Sequence, residues 1–195
     1  MKYSTLFLYT ACVVLAALLC SFSGLLEKFV KIEIGSGISL KLPESFQPMP
    51  EAEIARKYIS TRKPVAVFMS ADRQADFGIN ISITQWNPSD LPIMKDFYKA
   101  TIVELHSNVE FIREEIVNVN GKDFALLEFT SLVKDEDNTL GTTRPPVQKY
   151  NFIQYTIFDK KTFVYNFNCP ANQQARFRDT AREIMNSIEM KKTKE

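Results

Sequence analysis

Apolar residues at Phe77, Ile79, Ile81 and Ile83 alternate with Asn80, Ser82, Thr84 and Trp86 through the segment DFGINISITQW, residues 76–86. A period of two held this long predicts one strand whose odd-numbered side chains enter the core. The same period appears upstream in FVKIEIGSGISLKLPESF. Here Val30, Ile32 and Ile34 precede a turn at Gly35–Gly37, and Ile38, Leu40 and Leu42 follow it, the pattern of a hairpin. Pro50 opens a short helix through EAEIARKY, with acidic residues where the helix dipole favours negative charge. VAVFM, residues 65–69, reads as a short strand.

The period changes to that of a helix in NPSDLPIMKDFYKATIVELHS. Ser89 or Asp90 serves as cap, Pro92 sits in the first turn, and Met94, Phe97, Tyr98, Thr101 and Leu105 recur at helical spacing, a face predicted to cover the sheet. VEFIREEIVNV and KDFALLEFTSLV flank Asn120-Gly121, the strongest short hairpin signal. In the second of these strands Phe124 and Leu126 face one way and Ala125, Leu127 and Phe129 the other, so both faces require cover. A polar loop, residues 134–148, leads to two aromatic-rich strands about a turn at Asp159–Lys161. The closing segment places Phe177, Ala181, Ile184, Met185 and Ile188 on one helical stripe. The order is two strands, helix, two strands, helix, four strands, helix. Short connections make neighbouring strands antiparallel, which predicts an α+β fold with a mainly antiparallel central sheet sandwiched between helices.

The N-terminal segment follows a different logic. MKYSTLFLYTACVVLAALLCSFSG has one lysine, then an uncharged apolar run, then small residues, the order of an export signal. Ser21 and Ser23 imitate a small-x-small cleavage site, and Cys20 offers a lipid attachment point, against which Leu18 and Leu19 argue. The uncharged run from Tyr3 to Leu26 also matches the roughly 20 residues of a membrane-spanning helix. The chain therefore divides into a signal peptide or membrane anchor at residues 1–26, a single domain at 27–190 and a basic tail at 191–195. It is expected in the cell envelope, membrane-anchored or exported.

Charge narrows the partner class. The chain carries 24 basic and 23 acidic residues, and Lys2 is the only charge before Glu27, so the body is neutral. A nucleic-acid binder needs a basic excess to displace phosphate counterions, and the body has none. Cys12 and Cys20 lie in the apolar run, leaving Cys169 alone in the body, where a buried structural thiol at the end of an alternating strand is expected.

Reaction chemistry finds little support. The triplet Asp76-Phe77-Gly78 imitates the magnesium-binding motif of protein kinases, but GSGISL lacks the third glycine of a phosphate loop and VAVF carries no lysine. A single histidine, His106, excludes most zinc sites and reads as a helix-end residue. Counting a calcium loop from Asp135 puts Leu140 and Pro146 where glycine and glutamate are required. Glu114 and Glu115, adjacent on a strand, face opposite ways and cannot pair as acid and base. Asn80-Ile81-Ser82 matches a glycosylation acceptor by spacing alone. No catalytic residue, cofactor or metal is expected. The polar row Asn80, Ser82, Thr84 and Trp86, ending in the only tryptophan, is the expected partner face. The alternative is that Trp86 is core under a helix.

The run ISLKLPESFQPM, the strand pair around VNVNGKDFALLEF and the ending from YNFIQYTIF to MNSIEM together resemble the PsbP/Mog-type fold, especially its DcrB-like bacterial envelope members. The marks are a strand running into Leu-Pro with an aromatic shortly after, a central Asn-Gly hairpin, and a last hairpin feeding a helix that ends in Ser-Ile. The resemblance covers nearly all of the chain after residue 30. It implies a central antiparallel sheet between helical layers and a binding role without a reaction. Three functions remain: a non-enzymatic exported or membrane-anchored accessory protein acting through an unidentified protein partner, a chaperone or immunity protein for a secreted toxin, and a hydrolase with an unrecognised site.

Overall fold

The computed structural model describes residues 27–35, 37–58, 62–133 and 147–191. Ten strands and three helices follow in the order β1 (Phe29–Ile34), β2 (Ile38–Pro43), β3 (Gln47–Pro48), α1 (Glu51–Lys57), β4 (Ala66–Met69), β5 (Asp76–Ile81), α2 (Leu91–Leu105), β6 (Asn108–Val119), β7 (Lys122–Val133), β8 (Val147–Phe158), β9 (Lys161–Pro170), α3 (Gln174–Asn186) and β10 (Glu189–Met190). Seven strands form one antiparallel sheet in the order β3-β4-β5-β9-β8-β7-β6. The α+β sandwich expected from the sequence is present, with a helix on each face.

The double-sided pattern of β7 sorts the core into two layers. Phe124 and Leu126 pack with Phe152, Tyr165, Phe167 and the α3 stripe Phe177, Ala181, Ile184 and Met185, and Ile188 closes the same cluster just past the helix. Ala125, Leu127 and Phe129 point the other way, against Leu91, Met94 and Ile102 of α2. Each layer removes its apolar surface from water at about 25 cal/mol per Å2, the main term holding both helices to the sheet.

Both predicted tight turns form. Asn120 and Gly121 take φ of 48° and 77°, and Asp159 and Lys160 take 49° and 58°, the left-handed pairs that match hairpin twist. Asn120 Nδ2 also donates to the Ile188 carbonyl at 2.9 Å, tying the β6–β7 turn to the end of α3. The long edge strand β6 carries Glu110, Arg113, Glu114 and Glu115 and a bulge between Phe111 and Arg113, features that deter pairing with another sheet.

The expected β1–β2 hairpin forms, and two other expectations are corrected. The hairpin lies outside the main sheet. It forms a second, three-stranded sheet with β10, and Ile38, Leu40 and Leu42 pack into the α3 layer. The strand expected over residues 76–86 ends at Ile81, because its neighbour β9 begins at Lys161 and offers no ladder beyond the bond from Ser82 N to the Thr162 carbonyl. Ile83 is therefore 74% exposed rather than core. On α2 the buried residues are Leu91, Met94 and Ile102, while Phe97 and Leu105 are exposed. The helix lies rotated toward Ile102 from the face its spacing suggested.

Candidate functional site

The segment after β5 is organised by its contacts with α2. Ser82 Oγ lies 2.8 Å from the Tyr98 hydroxyl and accepts from Thr84 N at 3.1 Å, which bends the chain out of the sheet. Tyr98 in turn stacks on Tyr155 of β8, with ring centroids 4.2 Å apart. Asn80 is half-buried within β5, Thr84 is exposed, and Trp86 is half-buried with its ring 5.6 Å from Phe97. The Trp86 indole nitrogen has no hydrogen-bond partner among the described residues. The four polar-row residues are thus distributed over a strand end and a bend. Only Trp86 of the four packs on an α2 ring, while Ser82 reaches α2 through its hydroxyl.

Beside Trp86 the outer face of α2 is apolar. Ile93 is 65% and Phe97 47% exposed, one helical turn apart, with Ala100 exposed a further turn along. Phe97 packs edge-on against Tyr98 at 5.3 Å, so the patch rests on the core through an unbroken chain of rings, Trp86, Phe97, Tyr98 and Tyr155. Sequence reading placed Phe97 inside. The signal that it need not be is that Ile93, Phe97 and Ala100 make a second apolar stripe opposite Leu91 and Ile102, more than one sheet face can cover.

The kinase-like triplet is sheet. Phe77 is fully buried and pairs with Phe167 of β9, and Gly78 lies beside Tyr58, whose hydroxyl an added Cβ would meet at an ordinary contact distance of 3.4 Å. Asp76 is buried and forms an ion pair with Lys57 at the base of an open cleft shared with Met49, Met69, Glu53 and Arg73. Arg73 pairs with Glu53, so the charges of this cleft are largely neutralised within it. The Tyr58 hydroxyl, pushed up to about 12 by burial and then by the Asp76 charge, stays protonated.

A second buried carboxylate was not read from the sequence. Glu128 has no exposed surface, and it sits on the α3 side of β7, where Phe124 and Leu126 are apolar. Arg178 Nε donates to its Oε1 at 2.6 Å and the Tyr150 hydroxyl donates to the same atom at 3.0 Å. Arg113 and Arg182 approach Oε2 at 3.9 and 3.8 Å. The detectable signal was a charge at a core-parity position of β7 together with Arg178 and Arg182 four apart on the facing helix. This cluster is a clamp between α3 and the sheet. Its carboxylate is fully buried among these side chains.

Other singled-out residues take structural places. Cys169 is buried, and burial pushes its thiol up to about 12, far from a reactive thiolate. His106 caps the C-terminal end of α2, with Nδ1 2.9 Å from the Ile102 carbonyl. Glu114 pairs with Lys99 of α2 at 2.5 Å and Glu115 pairs with Arg113. Among the described residues no three His, Cys, Asp or Glu side chains group as a metal site, and no helix is long and apolar enough to cross a membrane. Cys20, the apolar run and the Asp135–Asp137 loop lie outside the described residues.

A seven-stranded antiparallel sheet with α2 on one face, and α3 plus the β2 hairpin on the other, is a PsbP/Mog-type fold. Particular solved structures share it. Cyanobacterial PsbP (CyanoP) from Synechocystis sp. PCC 6803 superposes with a TM-score of 0.54 at 13% identity, covering 87% of this chain and 96% of that one. The Ran-binding protein Mog1p of Saccharomyces cerevisiae superposes at 0.51 with 12% identity, covering 84% and 96%. LpqN of Mycobacterium tuberculosis, involved in cell envelope biogenesis, superposes at 0.51 with 12% identity, covering 84% and 90%. Identities this low establish the fold alone. No family model matches the sequence, and no curated protein matches it.

Proposed function

We propose that this chain is a non-enzymatic accessory protein of the cell envelope, exported or held at the membrane by residues 1–26, that works by binding a protein partner. The contact surface is the outer face of α2 with the adjoining bend: Ile93, Phe97, Trp86 and Thr84. The observation that carries this reading is the exposed pair Ile93 and Phe97 beside a ring-supported tryptophan, on a helix whose opposite face is already used against the sheet. An aromatic and aliphatic cluster on a rigid element is the composition of a binding hot spot. The fold neighbours are described as a Ran-binding protein and as a protein involved in cell envelope biogenesis, roles compatible with contact rather than turnover.

The test is site-specific photocrosslinking from position 84 in membranes of the cell that makes the protein, with and without Phe97→Arg. A discrete crosslinked species lost in the folded variant is expected. An unchanged species in a variant with native circular dichroism overturns the proposal. Fractionation in the same preparation locates the chain, and a cytoplasmic pool with an intact N-terminus would instead favour a chaperone or immunity protein for a secreted toxin.

A further inference from the structure

We infer that the cavity at the β8–β9 turn end of the sheet receives an acidic segment of the partner carrying one aliphatic side chain. This inference rests on the partner-binding reading and specifies its chemistry. The cavity, about 440 Å3, is lined by the apolar Val65, Ile81 and Ile83 and by Lys160 and Lys161, and no acidic side chain among the described residues lines it. Arg62 and Lys63 complete the basic rim, Lys63 being paired with Glu51. Lys160 and Lys161 have no ion-pair partner among the described residues, and Asp159, which precedes them in the turn, is not part of the wall. Thr162, which also lines the cavity, has a buried Oγ1 without a hydrogen-bond partner among the described residues.

Charge complementarity selects the occupant. Two lysines lining one cavity with an exposed isoleucine match carboxylates flanking an aliphatic side chain, which would cover Ile83 while the acids meet Lys160 and Lys161. The cavity adjoins the α2 surface through the bend itself, since Ser82, Ile83 and Gln85 line it and Trp86 follows. A peptide therefore fits better than a bilayer. The chain enters the described fold at Glu27, which bonds Ser45 and Thr180 near the Phe46–Phe167 contact. Lys161 and Phe167 are six residue steps apart on β9, about 20 Å at strand rise, so the cavity lies at the opposite end of the sheet from Glu27.

The test uses the full chain in a non-ionic detergent and a synthetic Glu-Glu-Leu-Glu-Glu peptide, read by emission of the only tryptophan, Trp86. The expected result is saturable binding that weakens at least about tenfold in Lys160→Glu/Lys161→Glu and on raising salt from about 0.05 to about 0.5 M, with no binding of Lys-Lys-Leu-Lys-Lys. No saturable response to the acidic peptide, or equal binding of the basic one, overturns the inference. Binding to phosphatidylglycerol vesicles that depends on both lysines, without peptide binding, assigns the surface to lipid and overturns it as well. A crosslink lost in Phe97→Arg with no peptide binding keeps the contact reading and removes this one.

Discussion

Glu128→Gln isolates what the buried carboxylate contributes to holding α3 on the sheet. The substitution preserves volume and an acceptor for Tyr150 while removing the charge. The charge-assisted bond from Arg178 at 2.6 Å is worth about 1.5–3 kcal/mol. The longer approaches of Arg113 and Arg182, whose side chains are 34% and 35% exposed, are screened by water and add about 0.5 kcal/mol each. The glutamine amide would also place a donor opposite these donors. The expected loss is about 2–4 kcal/mol in urea unfolding of the full chain followed by circular dichroism, a large share of a domain's stability. Replacing members of the network together, with Glu128→Leu, Arg178→Met, Arg182→Met and Tyr150→Phe, should recover part of that loss, because the carboxylate goes with the groups that face it and Arg113 keeps Glu115. A glutamine variant within about 0.5 kcal/mol of the parent would refute the clamp, since it would mean that apolar packing alone seats α3.

Two further outcomes follow from buried acids. Cys169, raised to about 12 by burial, should be alkylated roughly a thousandfold more slowly at pH 8 than an ordinary thiol, and mass spectrometry can separate it from Cys12 and Cys20. Equal labelling of all three in the native chain would contradict its burial. Tyr155 and Tyr165 are both raised above the usual tyrosine value of about 10, chiefly by burial. Their folded values exceed their unfolded ones, so the stability they contribute is complete below pH 10 and is lost as pH rises further, because the unfolded chain gives up its protons first. Two such groups remove roughly 2 kcal/mol between pH 10 and pH 11. A urea midpoint that does not fall over that interval would show that the two hydroxyls titrate normally.

Local pattern and tertiary context divide this molecule clearly. The parity of β7, with Phe124 and Leu126 against Ala125, Leu127 and Phe129, foretold two separate core layers, and the closing stripe from Phe177 to Ile188 foretold which helix covers one of them. These features depend on side-chain direction within one element, which a period of two or 3.6 sets directly. Trp86 touches Phe97 on the rim of the α2 surface and is half-buried rather than fully enclosed, a depth that its place in the alternating pattern did not reveal.

By itself, then, the sequence determined the eight longer strands, though not the two-residue β3 and β10, together with the hairpin turns at Asn120-Gly121 and Asp159–Lys161 and the two-sided core, because each is encoded in neighbouring residues. Only the tertiary structure decided where β5 stops, since that depends on β9 turning away at Lys161, and which α2 residues face water, since that depends on the angle at which the helix crosses the sheet. It likewise decided the pairing of Glu128 with Arg113, Arg178 and Arg182, and the meeting of Ile83 with Lys160 and Lys161. Those contacts join residues 15 to 78 positions apart, and no local period carries information about a partner that arrives through the fold.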